Sequence, residues 1–149
     1  MRNFVEKLMT RDSYKIEGGS CMRLLSIHHI AIICSDYEKS KKFYVDVLGL
    51  KPIREVYREE RDSYKLDLEV NGNYQIELFS FPDPAVRPSY PEAAGLRYLA
   101  FAVQDIEGAV SYLEQQPVSV EEIRVDPFTD KKFTFFADPD GLPIELYES

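Results

Sequence analysis

Residues 26–36 read Ser-Ile-His-His-Ile-Ala-Ile-Ile-Cys-Ser-Asp. Ser26–Cys34 is a short run dominated by isoleucine, the β-branched composition of a buried strand. Ser35 and Asp36 then supply side-chain acceptors where a helix can begin. The spacing predicts that helix over Tyr37–Leu48. Phe43, Tyr44, Val47 and Leu48 fall on one face, Glu38, Lys39, Lys41 and Lys42 on the wet side, and Gly49 stops it. Three strands are predicted next, Pro52–Arg58, Tyr64–Val70 and Tyr74–Phe81. In the second of these Leu66, Leu68 and Val70 alternate with Lys65, Asp67 and Glu69, which predicts an apolar face toward a core and a charged face toward water. Asn71-Gly72 is a hairpin signal between the last two strands.

Residues 82–94 hold four prolines and read as a linker. Beyond it the same order returns. Leu96–Val103 is a predicted strand, Asp105 a cap, and Ile106–Gln115 a helix with Ile106, Val110 and Leu113 on one face. Val118–Val125, Lys132–Ala137 and Leu142–Tyr147 are predicted strands, with Asp138-Pro139-Asp140-Gly141 as the turn before the last. The register agrees closely. His29 precedes Asp36 by seven residues and Tyr98 precedes Asp105 by seven. Ile76-Glu77-Leu78 closes the first half and Ile144-Glu145-Leu146 the second, so His29 to Glu77 is 48 positions and Tyr98 to Glu145 is 47. Such self-similarity implies two β-α-β-β-β modules related by a local pseudo-twofold, an α+β fold. The module limits are 24–81 and 95–149 within a single domain over 23–149; residues 1–22, ending in Gly18-Gly19-Ser20, read as a flexible N-terminal extension.

Alternation along strands then sorts the side chains. Bulky aliphatic faces are expected under the helices, with His28 among them. The opposite faces carry His29, Glu77, Tyr98 and Glu145 beside the small residues Ala31, Ala100 and Ala102, which leave room for a ligand. Two carboxylates that converge in a cavity repel, and a divalent cation between them removes that cost.

Composition narrows the function. The chain has 149 residues, 44% hydrophobic and 30% charged, with net charge -8. That is a soluble globular composition. The acidic balance opposes binding to nucleic acid, which requires a basic face, and to an anionic membrane surface. Residues 1–22 lack the apolar core of a secretory signal. The two cysteines, Cys21 and Cys34, fit neither a disulfide framework nor a zinc-finger spacing, and reduced thiols point to the cytoplasm.

The repeated module, the His-Ile-Ala-Ile strand, the two Ile-Glu-Leu strands and the Asp-Pro-Asp-Gly turn resemble the vicinal oxygen chelate superfamily, in particular its glyoxalase I-like, lactoylglutathione lyase-like branch. The resemblance spans residues 24–149. It implies a half-open barrel of two βαβββ modules around one divalent metal (Zn, Ni, Mn, Co or Mg), a homodimer, and a small-molecule substrate. Carried over by position, the metal ligands are His29, Glu77, Tyr98 and Glu145. Position 98 departs from the pattern, because the branch places histidine in a Leu-Arg-His-Leu-Ala-Phe-type strand and this chain has Leu96-Arg97-Tyr98-Leu99-Ala100-Phe101. Tyr98 is then either a ligand or an aromatic wall. The implied reaction isomerises a 2-oxoaldehyde–thiol adduct through an enediolate, with Glu145 as the first choice of base and Glu77 the second. The alternative is a metal-free, drug-sequestering binding protein. An extradiol-type dioxygenase is disfavoured, because its two-histidine triad has no second histidine here beyond the adjacent His28.

Arg54, Arg97, Arg124, Lys131 and Lys132 are either anchors for an anionic substrate, Arg97 and Arg124 foremost, or a solvated face. Asp126–Asp130 is either a loop over the cavity mouth or an ordinary hairpin.

Overall fold

A computed structural model describes residues 24–149; the N-terminal extension over 1–22 and the Cys21 thiol lie outside the described residues. The first module runs β1 (Ile30–Cys34), α1 (Tyr37–Lys42), a π-helical turn (Phe43–Val47), β2 (Lys51–Arg58), a 3-10 turn (Glu59–Arg61), β3 (Ser63–Val70) and β4 (Asn73–Ser80). The second runs β5 (Leu99–Val103), α2 (Ile106–Leu113), β6 (Arg124–Val125), β7 (Lys132–Ala137) and β8 (Pro143–Glu148). Each module forms one four-stranded sheet, ordered β1-β4-β3-β2 and β5-β8-β7-β6. In both, the first and last strands pair in parallel and the others antiparallel. The repeat extends to single residues: Ala31 stands opposite Glu77, and Ala100 opposite Glu145.

Both α-helices start as their caps dictate. The Asp36 carboxylate accepts from the Lys39 N–H, and Asp105 accepts from the Gly108 N–H. The first helix then widens. The Leu48 N–H reaches the Phe43 carbonyl five residues back, a geometry that turns the adjacent Phe43 and Tyr44 both into the core. At the β3–β4 hairpin, Asn71 and Gly72 both take positive φ (48° and 81°), as a type I′ turn requires.

Leu66, Leu68, Ile76, Leu78 and Ile144 are buried completely or nearly so beneath α1 and α2. Each contributes about 2 kcal/mol by leaving water. The modules meet along a polar seam at the Asp138–Gly141 turn. Tyr44 Oη donates to Asp138 Oδ2 at 2.8 Å, Ser35 hydrogen-bonds Asp140 through its N–H and hydroxyl, and Ser89 Oγ donates to the Gly141 carbonyl at 2.8 Å. Burial raises the Asp138 carboxyl above its ordinary range, and the donors around it only partly offset this.

Three expectations need correction. The strand predicted over Val118–Val125 shortens to Arg124–Val125. Val118, Val120 and Ile123 pack inward, and only Glu121 reaches β7, through its N–H to the Phe135 carbonyl and its carbonyl from Thr134 Oγ1. His28 is exposed rather than packed under a helix, because β1 starts at Ile30 and strand alternation does not extend back to it. The charged face of β3 is not wet: Asp67 is 2% exposed. Among the described residues, no helix is long and apolar enough to cross a membrane.

Candidate metal and substrate site

The parallel β1–β4 pair brings His29, just before β1, against Glu77 on β4. His29 Nε2 lies 3.6 Å from Glu77 Oε2. That exceeds a hydrogen bond. Two donors that share one small divalent ion stand about 3 Å apart, given bonds near 2.1 Å, so this pair fits a cation between them. The histidine is oriented for it. Its Nδ1 is 2.8 Å from His28 Nδ1, and its ring stacks on Tyr74 at 5.6 Å between centroids, which leaves Nε2 toward the carboxylate.

Glu77 is 7% exposed and is held from its other oxygen. Lys65 Nζ lies 2.6 Å from Oε1, and Tyr74 Oη donates to the same atom. Lys65 also binds Asp67 on its own strand, and Arg54 donates to Asp67 from β2 at 2.9 Å and 2.6 Å. Two acids and two cations thus alternate across three strands. Burial works to raise both carboxyls, but the Lys65 contacts, with Tyr74 for Glu77 and Arg54 for Asp67, outweigh it and hold both below the usual range.

The second module repeats the backbone with different company. Glu145 is 8% exposed and faces Phe135 across β7, where Glu77 faces Asp67 across β3. Burial pushes its carboxyl up, Asp126 adds to the rise and Arg124 opposes it, with no hydrogen bond among the causes. Tyr98 is 39% exposed, edge-on to Phe135 at 5.2 Å between centroids. It lines a cavity of about 550 Å³ with Arg97, Arg124, Tyr90, Phe135 and Pro143.

Of the four expected ligands, His29 and Glu77 stand together as one half-site, whereas Tyr98, just before β5, packs on Phe135, the β7 residue that pairs with Glu145. Among the described residues, no three of His, Cys, Asp and Glu form a metal-holding group. The small residues beside them, Ala31, Ala100 and Ala102, are exposed, and so is Ile33 at 56%. The ligand-bearing faces are open surfaces in the single chain.

The cationic candidates are mostly engaged. Arg54 holds Asp67, Arg97 lies 3.2 Å from Glu92, Arg124 2.7 Å from Glu121, and Lys132 binds Glu107. The Asp126–Asp130 segment is a turn held by Tyr147, which contacts both Asp126 and Thr129, with Phe128 at its tip 95% exposed. The Lys65 and Tyr74 contacts were not anticipated. Their signal was present, because Lys65 and Asp67 share a strand face and β3 neighbours β4.

Comparison with known proteins agrees with this architecture. The uncharacterized protein YwkD of Bacillus subtilis is 65% identical over 127 residues, covering 85% of this chain and 99% of its own. YaeR of Escherichia coli, also uncharacterized, is 64% identical over 125 residues, covering 84% and 97%. A crystal structure of a glyoxalase family protein from Enterococcus faecalis is 50% identical with a TM-score of 0.76, covering 83% and 97%. More distant are a metallothiol transferase FosB of Staphylococcus saprophyticus (31%, covering 82% and 76%) and the lactoylglutathione lyase of Schizosaccharomyces pombe (29%, covering 84% and 48%). The family model of the Glyoxalase/Bleomycin resistance protein/Dioxygenase superfamily matches residues 26–146, and the chain belongs to that superfamily.

Proposed function

We propose that the protein is a divalent-metal-dependent, glyoxalase I-like lyase that isomerises a small 2-oxoaldehyde–thiol adduct in the cytoplasm. The observation that carries this reading is the His29–Glu77 pair at 3.6 Å, whose strand register recurs around Glu145. His29, Glu77 and Glu145 would hold the ion, with the Tyr98 oxygen as a fourth donor. Lactoylglutathione lyase and metallothiol transferase, the names of two distant relatives, both involve a thiol, which supports the substrate class. When bound, the ion supplies Lewis acidity to two adjacent substrate oxygens.

The chain's own groups divide the remaining work. The two glutamates differ in the way acid–base chemistry needs. Glu77 is held ionised by Lys65 and Tyr74, which suits a ligand. Glu145 is pushed up by burial and, among the described residues, accepts no hydrogen bond that would compete for its lone pairs, which suits a base. Glu145 takes the proton from the carbon bearing sulfur, leaving the enediolate, and returns it to the neighbouring carbon, while the hydroxyl proton of the first carbon passes to the oxygen of the second. No net oxidation occurs, and the product is the 2-hydroxyacyl thioester. Tyr98, Tyr90 and Phe135 line the neighbouring cavity and would give the substrate's carbon chain an aromatic surface.

A second copy completes the site in this reading. The open faces around Ala31, Ile33, Ala100 and Ala102 provide the surface on which one chain's first module meets its partner's second.

The Lys65–Glu77 ion pair favours a second reading, a metal-free binding protein, because Glu77 already has a cation. Turnover decides between them. Methylglyoxal is mixed with each of several low-molecular-weight thiols, and thioester formation is followed with and without a chelator. Chelator-sensitive turnover with at least one thiol is the expected result. Absence of turnover with every thiol after loading with Ni, Zn, Mn and Co contradicts the lyase reading.

A further inference from the structure

We propose that Lys65 is the resident counter-ion of the first half-site and that its charge sets how tightly a divalent cation loads there. The inference rests on the metal reading above but concerns a residue outside the ligand set.

Its basis is the division of labour on the Glu77 carboxylate. Lys65 and Tyr74 occupy Oε1, while Oε2 faces His29 Nε2. One carboxylate thus lies between a fixed ammonium and the position a metal would take. An ammonium and a divalent ion on the two oxygens of one carboxylate repel strongly in a half-dry setting, where water screens them poorly. Lys65 cannot retreat freely. Its side chain is 22% exposed, its Nζ is tied to Asp67 and lies 3.4 Å from Tyr74 Oη, and the ammonium stands over the Tyr74 and Phe79 rings at 5.9 Å and 5.8 Å. Asp67 in turn is held by Arg54. The lysine is a built part of the half-site, and the second module has no lysine at the matching strand position; the cation that acts on Glu145 there is Arg124, which lies over Phe133 and Phe135. By the repeat register that aligns Glu77 with Glu145 and Asp67 with Phe135, the position of Lys65 falls on Phe133.

Two consequences follow. Without metal, Lys65 neutralises Glu77, so the half-site is stable when empty. With metal, Lys65 lowers affinity, so an ion is retained only where a further ligand such as Glu145 adds its charge.

The test is calorimetric titration of the full chain with Mn²⁺, paired with thermal melts with and without the ion. Lys65→Met, close to isosteric and uncharged, is expected to bind about tenfold tighter or more than the parent and to gain more in Tm from Mn²⁺. Lys65→Arg, which keeps the charge, is expected to return to parental affinity. Asp67→Asn removes the anion that shares the ammonium, throws its charge onto Glu77 and is expected to bind more weakly. It carries the test if Lys65→Met does not fold without metal. A purely structural lysine would weaken binding in every variant, so opposite signs for Lys65→Met and Asp67→Asn identify the electrostatic role. If the parent binds Mn²⁺ and Lys65→Met binds equally or more weakly, this inference is overturned and the metal reading stands. If only Lys65→Met binds, the inference stands and the metal reading of the parent fails. If neither binds, both are overturned.

Discussion

Glu145→Gln is expected to abolish most thioester formation, by about 10²–10⁴-fold, while making the metal-free protein more stable. The two effects have one cause. Glu145 is buried on β8 without a hydrogen-bond partner among the described residues, and burial raises its carboxyl. A folded-state pKa above the unfolded value means the folded protein favours the protonated acid. That contribution is present at low pH and is lost as pH rises through the folded pKa. At neutral pH the ionised carboxylate is therefore a burden, which neutral glutamine relieves. The gain is about 1 kcal/mol, the scale of an unpaired buried polar group. Thermal melts in chelator at pH 7 and pH 4 check the sign. The variant should melt higher at pH 7, and the difference should shrink at pH 4, where the parental acid is largely protonated. A variant that melts lower at both pH values would mean that Glu145 is a structural acid with a partner.

Lys65→Met is expected to lower the stability of the metal-free protein by about 3 kcal/mol at pH 7, the usual cost of removing one member of a buried ionic group. Asp67 is 2% exposed and Glu77 7%, and the substitution leaves Asp67 with Arg54 as its cation and Glu77 with Tyr74 and His29. In the parent both carboxyls sit below their ordinary values despite burial, so their stabilising contribution exists above the unfolded pKa and disappears as pH falls through the folded one. In the variant burial and mutual repulsion push the acids the other way. The difference between the two proteins should therefore be largest at neutral pH and should vanish only as pH falls through the lowered folded values of the parent, below the ordinary carboxylate range, where the acids are protonated in both. Urea unfolding at a series of pH values measures this. A constant difference across that range would assign the loss to packing of the lysine stem.

These opposite titrations clarify what the sequence could and could not reveal. Alternation and turn chemistry are local properties, so the β1–α1 cap at Asp36, the Asn71-Gly72 hairpin and the paired Ile-Glu-Leu strands were legible as pattern. The repeat was legible because both modules obey the same register. Partner choice across strands is not local. Lys65 reads as a solvent-facing lysine until β3 and β4 are placed side by side, and only then does its ammonium meet Glu77. The segment Val118–Ile123 has the composition of a strand, yet its valines gain more from the core than from a ladder. His28 was misplaced for a related reason, since alternation was extended past the end of the strand that enforces it. The pairing of His29 with Glu77 followed from the parallel register. Whether Glu145 joins them depends on how modules associate, and that information lies in open faces rather than in any motif.

Binding of one divalent ion by His29 with the two glutamates underlies the proposed chemistry. Calorimetric titration of the full chain and of His29→Ala with Mn²⁺, Ni²⁺ and Zn²⁺ tests it most directly. The account predicts one ion per site for the parent and at least a tenfold loss of affinity for His29→Ala with each metal that binds. Equal affinity in the two proteins, or no binding by the parent of any of the three ions, would contradict it.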